Sequence, residues 1–165
     1  MSADTLTALV RLLVSGTYTR DLDLADPKDI LSKTIEQAFA TGTGDDQADQ
    51  MFHDIRTLGD AATEDLDLYG GLTNAFGVTL NFLKIKAMII RNLSTTQTIS
   101  VGGAAATQFS NWVANVSDIV VLPPESWLCL VNPAGYAVTS ALDLLKIANS
   151  AGASANYEII LIGND

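Results

Sequence analysis

The chain has 165 residues, a length that suits a single domain able to bury roughly 70% of its unfolded surface. Its formal net charge is -10, which argues against binding to a phosphate backbone, so no nucleic-acid partner is expected. Apolar residues make up 48% of the chain and charged residues only 17%, more apolar side chain than a solvated monomer needs. This balance predicts a homo-oligomer or a protein attached to a larger assembly.

The negative charge is concentrated in the first part of the chain. Residues 1–70 hold 14 acidic and 5 basic side chains (net -9), whereas residues 71–165 hold 5 and 4 (net -1). The N-terminus lacks a basic segment, and no apolar run approaches the ~20 residues of a membrane-spanning helix. We therefore expect a soluble, unsecreted protein without a membrane partner, in which residues 1–5 form a short N-terminal arm.

The first forty residues allow two interpretations. The stretch "LTALVRLLVSGTYTRDLDLADP" predicts two strands that turn at Ser15-Gly16. In "DPKDILSKTIEQAFATG", a capping Asp26 followed by Pro27 is typical of a helix start, and Gly42 would end that helix. The same segment alternates like a strand, so residues 27–40 remain open between a short helix and a strand.

The remainder of the chain has the pattern of short strands separated by Gly, Pro, Asn and Ser. "ATGTGDDQADQ" predicts a flexible acidic loop, and "VTLNFLKIKAMIIRNLS" a central strand. The other predicted strands are "MFHDIRTLGD", "ATEDLDLYGG", "TISVGG", "DIVVLPP", "WLCLVNP", "YAVTS", "LDLLKIANS" and "NYEIILIGND". Residues 1–165 thus predict one all-β domain, an antiparallel β-sandwich of jelly-roll type.

Three apolar runs between prolines predict consecutive antiparallel strands at Ile119–Leu122, Trp127–Val131 and Tyr136–Thr139. Because four apolar residues follow Trp127, its ring is predicted to lie in the core. Cys129, the only cysteine, stands between two leucines and is predicted to be a buried, inert thiol.

No enzymatic motif is present in the sequence. "GTGDDQ" begins like a dinucleotide-binding loop but lacks its third glycine, and none of the acidic groups matches a calcium-binding EF-hand loop. His53 would share a strand face with Met51 and Ile55 as a histidine at the edge of the core, and Asp54 and Arg56 would form a surface ion pair. We expect no catalytic, cofactor-binding or metal-binding residues.

Aromatic side chains are the best candidates for contacts with a partner, because buried interfaces are enriched in them. The candidate interface residues are Trp112, Phe109 and Tyr136. Trp112, in the polar segment "FSNWVAN", is predicted to lie at the rim of the fold.

Long stretches of the chain resemble a group of small virion proteins of tailed bacteriophages, associated with decoration or cementing of the head. The resemblance extends over roughly residues 5–163, and "FHDIRTL", "EDLDL" and the closing "YEIILIG" carry most of it. It implies a non-enzymatic structural protein that binds the major capsid protein on the outer capsid surface, often as a trimer, after synthesis in the host cytoplasm.

Two other classes share a strand-rich architecture. One is a tail or baseplate component, which the sequence does not separate from a head protein. The other is a carbohydrate-binding jelly roll, which would be expected to expose a line of aromatic rings; Trp112 is the one obvious candidate.

Overall fold

The computed structural model describes residues 5–103 and 106–165 and shows an all-β protein, with no helix among those residues. Thirteen strands are present in the described part of the chain, and no helix in that part could span a membrane. Four of the five residues of the expected N-terminal arm, 1–4, lie outside the described residues. The strands are β1 (Ala8–Thr19), β2 (Lys28–Thr41), β3 (Gln47–Ala48), β4 (Gln50–Leu58), β5 (Thr63–Asp67), β6 (Tyr69–Thr73), β7 (Thr79–Asn81), β8 (Lys84–Asn92), β9 (Ile99–Gly102), β10 (Ile119–Leu122), β11 (Trp127–Ala137), β12 (Leu144–Asn149) and β13 (Ala155–Asn164).

Eight of these strands form the body of the protein, a sandwich of two four-stranded sheets. Sheet I has the strand order β10-β9-β12-β5, and sheet II has the order β11-β8-β13-β4. All pairings within both sheets are antiparallel. The chain passes repeatedly from one sheet to the other, and these two strand orders are those of a jelly roll, which confirms the predicted fold class.

The main core lies between the two sheets. Strand β12 alternates half-buried and buried residues, and two of the three buried ones, Leu145 and Ile147, belong to the main core. From sheet II, Met88, Ile90 and Leu161 contribute to the same core cluster. The period-two pattern that predicts the strands therefore also selects the face that is removed from water.

Strands β1 and β2 form a long hairpin outside the sandwich, called here the β1–β2 hairpin. They pair over their full length, from Ala8 opposite Phe39 to Thr19 opposite Lys28, and the chain turns near residues 22–25. The turn predicted at Ser15-Gly16 is therefore wrong, because Gly16 continues the strand opposite Leu31. No helix forms within residues 27–40, because strand β2 begins at Lys28 and its pairing along β1 outweighs the local helix-start signal.

A second, smaller core joins the base of the hairpin to the outer face of sheet II. Its buried members are Phe39 of β2, Ala48 of β3, Ala87 of β8 and Ile162 of β13. Val10 of β1 packs against them. Sheet II is thus covered on its inner face by sheet I and on part of its outer face by the hairpin.

The acidic loop after the hairpin is attached to the body by a buried lysine. The Lys86 ammonium donates hydrogen bonds to the backbone oxygens of Gly44 and Gln47, the latter at 2.6 Å. Burial lowers the pKa of Lys86 below its ordinary value, and the carboxylates of Asp45 and Asp49 oppose that shift. The loop predicted to be flexible is therefore held at its centre by this side chain.

Three strand boundaries differ from the sequence-based prediction. The predicted central strand is divided into β7 and β8. The backbone N–H of Phe82, between them, donates to the Leu68 carbonyl and not to a strand of sheet II. Trp127–Val131 and Tyr136–Ala137 belong to one strand, β11, interrupted by a register shift. Strand β10 lies in sheet I and β11 in sheet II, so these two are not paired with each other.

Candidate interaction surface

The most exposed element of the protein is the distal part of the β1–β2 hairpin. Every residue from 11 to 36 is exposed. Residues directly opposite each other in an antiparallel pair share a face, so the register defines two faces of the hairpin. The inner face, which packs on sheet II at its base, consists of Ala8, Val10, Leu12, Val14, Gly16, Tyr18, Asp29, Leu31, Lys33, Ile35, Gln37 and Phe39.

The opposite, outer face of the hairpin carries Leu9, Leu13 and Ile30 as exposed apolar residues. On this face an ion pair joins Arg11 Nε to Glu36 Oε1 at 2.8 Å, although both side chains are about half exposed. Such a pair adds little stability in water, about 0–1 kcal/mol. Apolar side chains therefore face solvent on both sides of a two-stranded ribbon.

A second exposed apolar surface lies on the outer face of sheet II, beside the base of the hairpin. In one row across the sheet, His53, Ile160, Ile89 and Cys129 stand side by side on β4, β13, β8 and β11. The next row comprises Ile55, Glu158, Arg91 and Trp127. These eight residues are called the sheet II patch, in which Ile160, Ile89 and Glu158 are half-buried and the other five are exposed.

Three sequence-based predictions for residues of this patch are wrong. Trp127 is 55% exposed and not in the core, because its neighbours Leu128 and Leu130 face inward instead. Cys129 is likewise exposed, although partial desolvation raises the pKa of its thiol. His53 does share a face with Met51 and Ile55, but that face is exposed and does not border the main core.

The candidate interface residues chosen from the sequence lie elsewhere. Phe109 is completely buried in the main core, and Trp112 and Tyr136 are half-buried against it. The indole N–H of Trp112 donates to the Phe109 carbonyl at 2.9 Å. Trp112 therefore packs on the core, and the prediction that it lies at the rim of the fold is wrong. Neither Trp112 nor Tyr136 belongs to the two exposed surfaces described above.

The surface missed by residue-type reasoning is the inner face of the hairpin. Four of its exposed apolar members, Leu12, Val14, Leu31 and Ile35, are aliphatic and lack the aromatic character that marks a candidate contact. The exposed Tyr18 on the same face was a signal in the sequence, but only the register of β1 with β2 places it beside the aliphatic residues.

A polar network connects the two sheets at the edge formed by β4 and β5. Arg56 donates to Glu64 Oε2 from Nε at 2.9 Å and from Nη2 at 2.7 Å, and to Asp54 Oδ2 at 3.0 Å. The Tyr157 hydroxyl donates to Glu64 Oε1 at 2.7 Å. The predicted Asp54–Arg56 pair is confirmed, and it belongs to a larger network in which Glu64 receives donors at both oxygens.

Burial of Tyr157, reinforced by its hydrogen bond to Glu64, raises the pKa of its hydroxyl above the ordinary value. Above about pH 10 the unfolded chain releases this proton while the folded protein still holds it, so stability must fall as pH rises. We expect a Tyr157 contribution of about -1.4 kcal/mol per pH unit in the free energy of unfolding above that pH.

The control is Tyr157→Phe, which removes the ionisable hydroxyl and keeps the ring. Free energies of unfolding from urea titrations between pH 9 and pH 11, a range around the ordinary tyrosine pKa of about 10, should fall more steeply for the wild-type protein. Parallel slopes for the two proteins would show that Tyr157 is not held protonated by the fold.

Three open grooves border His53. They have volumes of about 420, 440 and 450 Å³, and the largest is lined by both apolar residues, such as Met51 and Phe76, and polar ones, such as Asp49 and Asn74. Within the described residues, no three His, Cys, Asp or Glu side chains are grouped to hold a metal ion.

Compared with known proteins, the chain matches no family model, no curated protein and no solved structure.

Proposed function

We propose that this chain is a non-enzymatic structural protein of a tailed-phage virion, which binds the outer surface of the assembled capsid as a decoration or cement protein. The observation that carries the proposal is the β1–β2 hairpin, in which all residues from 11 to 36 are exposed. Its partner in the proposal is the major capsid protein, which it contacts without any cofactor.

A free hairpin of this kind is a poor structure for an isolated protein. Two strands without a third strand or a packed face are only marginally stable in water. Here apolar residues such as Leu13 and Ile35 are exposed on both faces, so folding alone does not remove them from water. The hairpin is therefore better suited to an assembly, in which neighbouring molecules cover it.

The tip of the hairpin provides a contact of distinct chemistry. Leu24 is completely exposed, and Leu22 beside it is also exposed. Asp21, Asp23 and Asp26 surround these two leucines. A shell surface with an apolar pocket bordered by basic side chains would complement this tip.

Charge supports a position outside the shell. The net charge of -10, with -9 in residues 1–70, would repel DNA packaged inside a capsid. A hairpin that spans adjacent shell subunits binds only the assembled state, and such binding stabilises that state by mass action. This is the cementing mechanism that we propose.

The jelly-roll fold does not select among the candidate functions, because viral coat proteins and lectins share it. The resemblance of "FHDIRTL", "EDLDL" and "YEIILIG" to small phage virion proteins favours the virion. A carbohydrate-binding site would favour a line of exposed aromatic rings. Trp112, the candidate for such a line, is half-buried.

The test uses capsids that lack this protein, from the phage whose genome encodes it. We expect the purified wild-type protein to co-sediment with these capsids and to raise the temperature at which they are disrupted. Leu24→Asp should weaken binding at least about tenfold, because a charge would replace an apolar side chain that the capsid covers in the proposed complex. Phe76→Asp, on an exposed loop of the sandwich, is the matched control and should bind normally.

Two outcomes would replace the proposal. A labelled protein found on the tails of intact virions, with no binding to capsids, would identify a tail or baseplate component. Specific binding on a glycan array, again without capsid binding, would identify a carbohydrate-binding module.

A further inference from the structure

We propose that the inner face of the β1–β2 hairpin binds the sheet II patch of a second copy of this chain. The hairpin of one molecule would lie across the outer face of sheet II of its neighbour. This inference concerns the purified protein and stands apart from the virion location proposed above.

The first support is the continuity of the inner face. At the base of the hairpin, Val10 and Phe39 on this face pack against Ala87 and Ile162 of sheet II. Further along the same face, Leu12 and Ile35 are opposite each other and exposed. One face of one ribbon is thus covered by sheet II at its base and uncovered beyond it.

The second support is that the sheet becomes less covered with distance from the hairpin base. The row under the hairpin base includes Ile162 and Ala87, both buried. The following row of β13 and β8 contains Ile160 and Ile89, which are half-buried and still pack against the cluster at the base, whereas Trp127 in the next row is exposed. The sheet II patch therefore continues a surface that already binds this type of hairpin face within the molecule.

The sizes of the two surfaces favour an exchange between copies. From Leu12 to Thr19 the uncovered part of the hairpin extends about 24 Å, and two strands are about 10 Å wide. One hairpin face then covers roughly 240 Å² in projection, whereas a stable interface buries about 800 Å² per partner. A closed arrangement in which each copy both gives a hairpin and receives one doubles the contact per molecule and comes closer to that size.

Charge is compatible with self-association at these surfaces. Beyond its base, the inner face carries one acid, Asp29, and one base, Lys33. The sheet II patch also carries one acid, Glu158, and one base, Arg91. Each surface is neutral, so two copies meet here without the repulsion that the net charge of -10 imposes elsewhere.

The test compares charged substitutions on the two faces of the hairpin. Ile35 on the inner face is 56% exposed, and Leu13 on the outer face is 62% exposed, so neither substitution disturbs a buried site in the monomer. By sedimentation at micromolar concentration, the wild-type protein should be an oligomer. Ile35→Asp should weaken its association about 100-fold or more, whereas Leu13→Asp should leave it unchanged.

A third variant, Trp127→Asp, tests the receiving surface and should also dissociate the oligomer. Mixing Ile35→Asp with Trp127→Asp should restore part of the association, because the second protein has an intact hairpin and the first an intact patch. Circular dichroism and the sedimentation of folded monomers confirm that each variant retains its fold.

Any of three results would overturn the inference. A wild-type monomer at high micromolar concentration would exclude the exchange. Equal effects of Ile35→Asp and Leu13→Asp would show that the inner face is not selected. A Trp127→Asp protein that remains fully associated would mean that hairpins contact each other and not the sheet II patch.

Discussion

Replacing Phe109 with alanine is expected to lower the free energy of unfolding by about 3–5 kcal/mol, the usual cost of removing a buried phenyl ring. Phe109 is completely buried in the main core, between the two sheets. Its backbone N–H bonds to the Leu144 carbonyl at 2.9 Å, and its own carbonyl accepts the indole N–H of Trp112. Both bonds use backbone atoms of Phe109 and survive the substitution, so the loss should come from the removed apolar ring and the cavity that it leaves.

The matched control is Phe76→Ala, because that ring is 91% exposed. Its effect on unfolding should stay within about 0.5 kcal/mol. Urea midpoints at one fixed protein concentration compare the two variants, since association would otherwise change the apparent stability. Similar small losses for both variants would contradict the burial of Phe109 and would restore it as a candidate contact residue.

The sandwich could be predicted from the sequence because its strands carry a clear local signal. Leu66 in β5 and Leu68 just after it alternate with acidic residues, and in β12 Lys146 separates the buried Leu145 and Ile147. This period places the buried residues of each strand on one face. Turn residues mark the ends of β9, β10 and β12 in the same way. The prediction of the fold class therefore depended only on patterns within each short segment.

The hairpin could not be predicted fully because its local and long-range signals conflict. Asp26 and Pro27 suit the start of a helix, and only the pairing of β2 with the full length of β1 decides against it. Gly16 is typical of a turn, yet it lies in open space within a strand. Strand partners far apart in sequence leave no mark on either segment alone.

The surface residues were mistaken for a related reason. In Trp127–Val131 every side chain is apolar, so the alternation that would distinguish the two faces is absent. The register with β8 places Leu128 opposite Ile90 and thereby turns Leu128 inward and Trp127 outward. An all-apolar run predicts a strand reliably but does not predict which of its faces is free to bind a partner.

The two proposals assign compatible roles to the two exposed surfaces. In the proposed arrangement, the inner face of the hairpin holds copies of the chain together while Leu24 at its tip reaches the shell. Each contact would order the hairpin for the other, because an exposed two-stranded ribbon gains stability from any face that becomes covered. Self-association and shell binding would then be mutually favourable.

Replacing Gly163 with alanine is expected to cost about 3 kcal/mol or more, at the upper end of what overpacking usually does. A Cβ at this position in β13 would overlap the backbone oxygen of Lys84 and would lie 2.8 Å from the ring of Phe82. The obstacle is main chain, which cannot rotate away as a side chain can. The register of β13 against β8 shifts between Ile162 and Gly163, so the absence of a side chain permits this close approach.

Gly16→Ala is the control, because no atom lies within 4 Å of its added methyl group, and its effect should stay within about 0.5 kcal/mol. Thermal and urea unfolding of both variants provide the comparison. Because β13 also carries Ile160 of the sheet II patch, a displaced β13 should weaken association as well as stability. A Gly163→Ala protein as stable as the wild type would show that β13 does not approach the Lys84 main chain closely at this position.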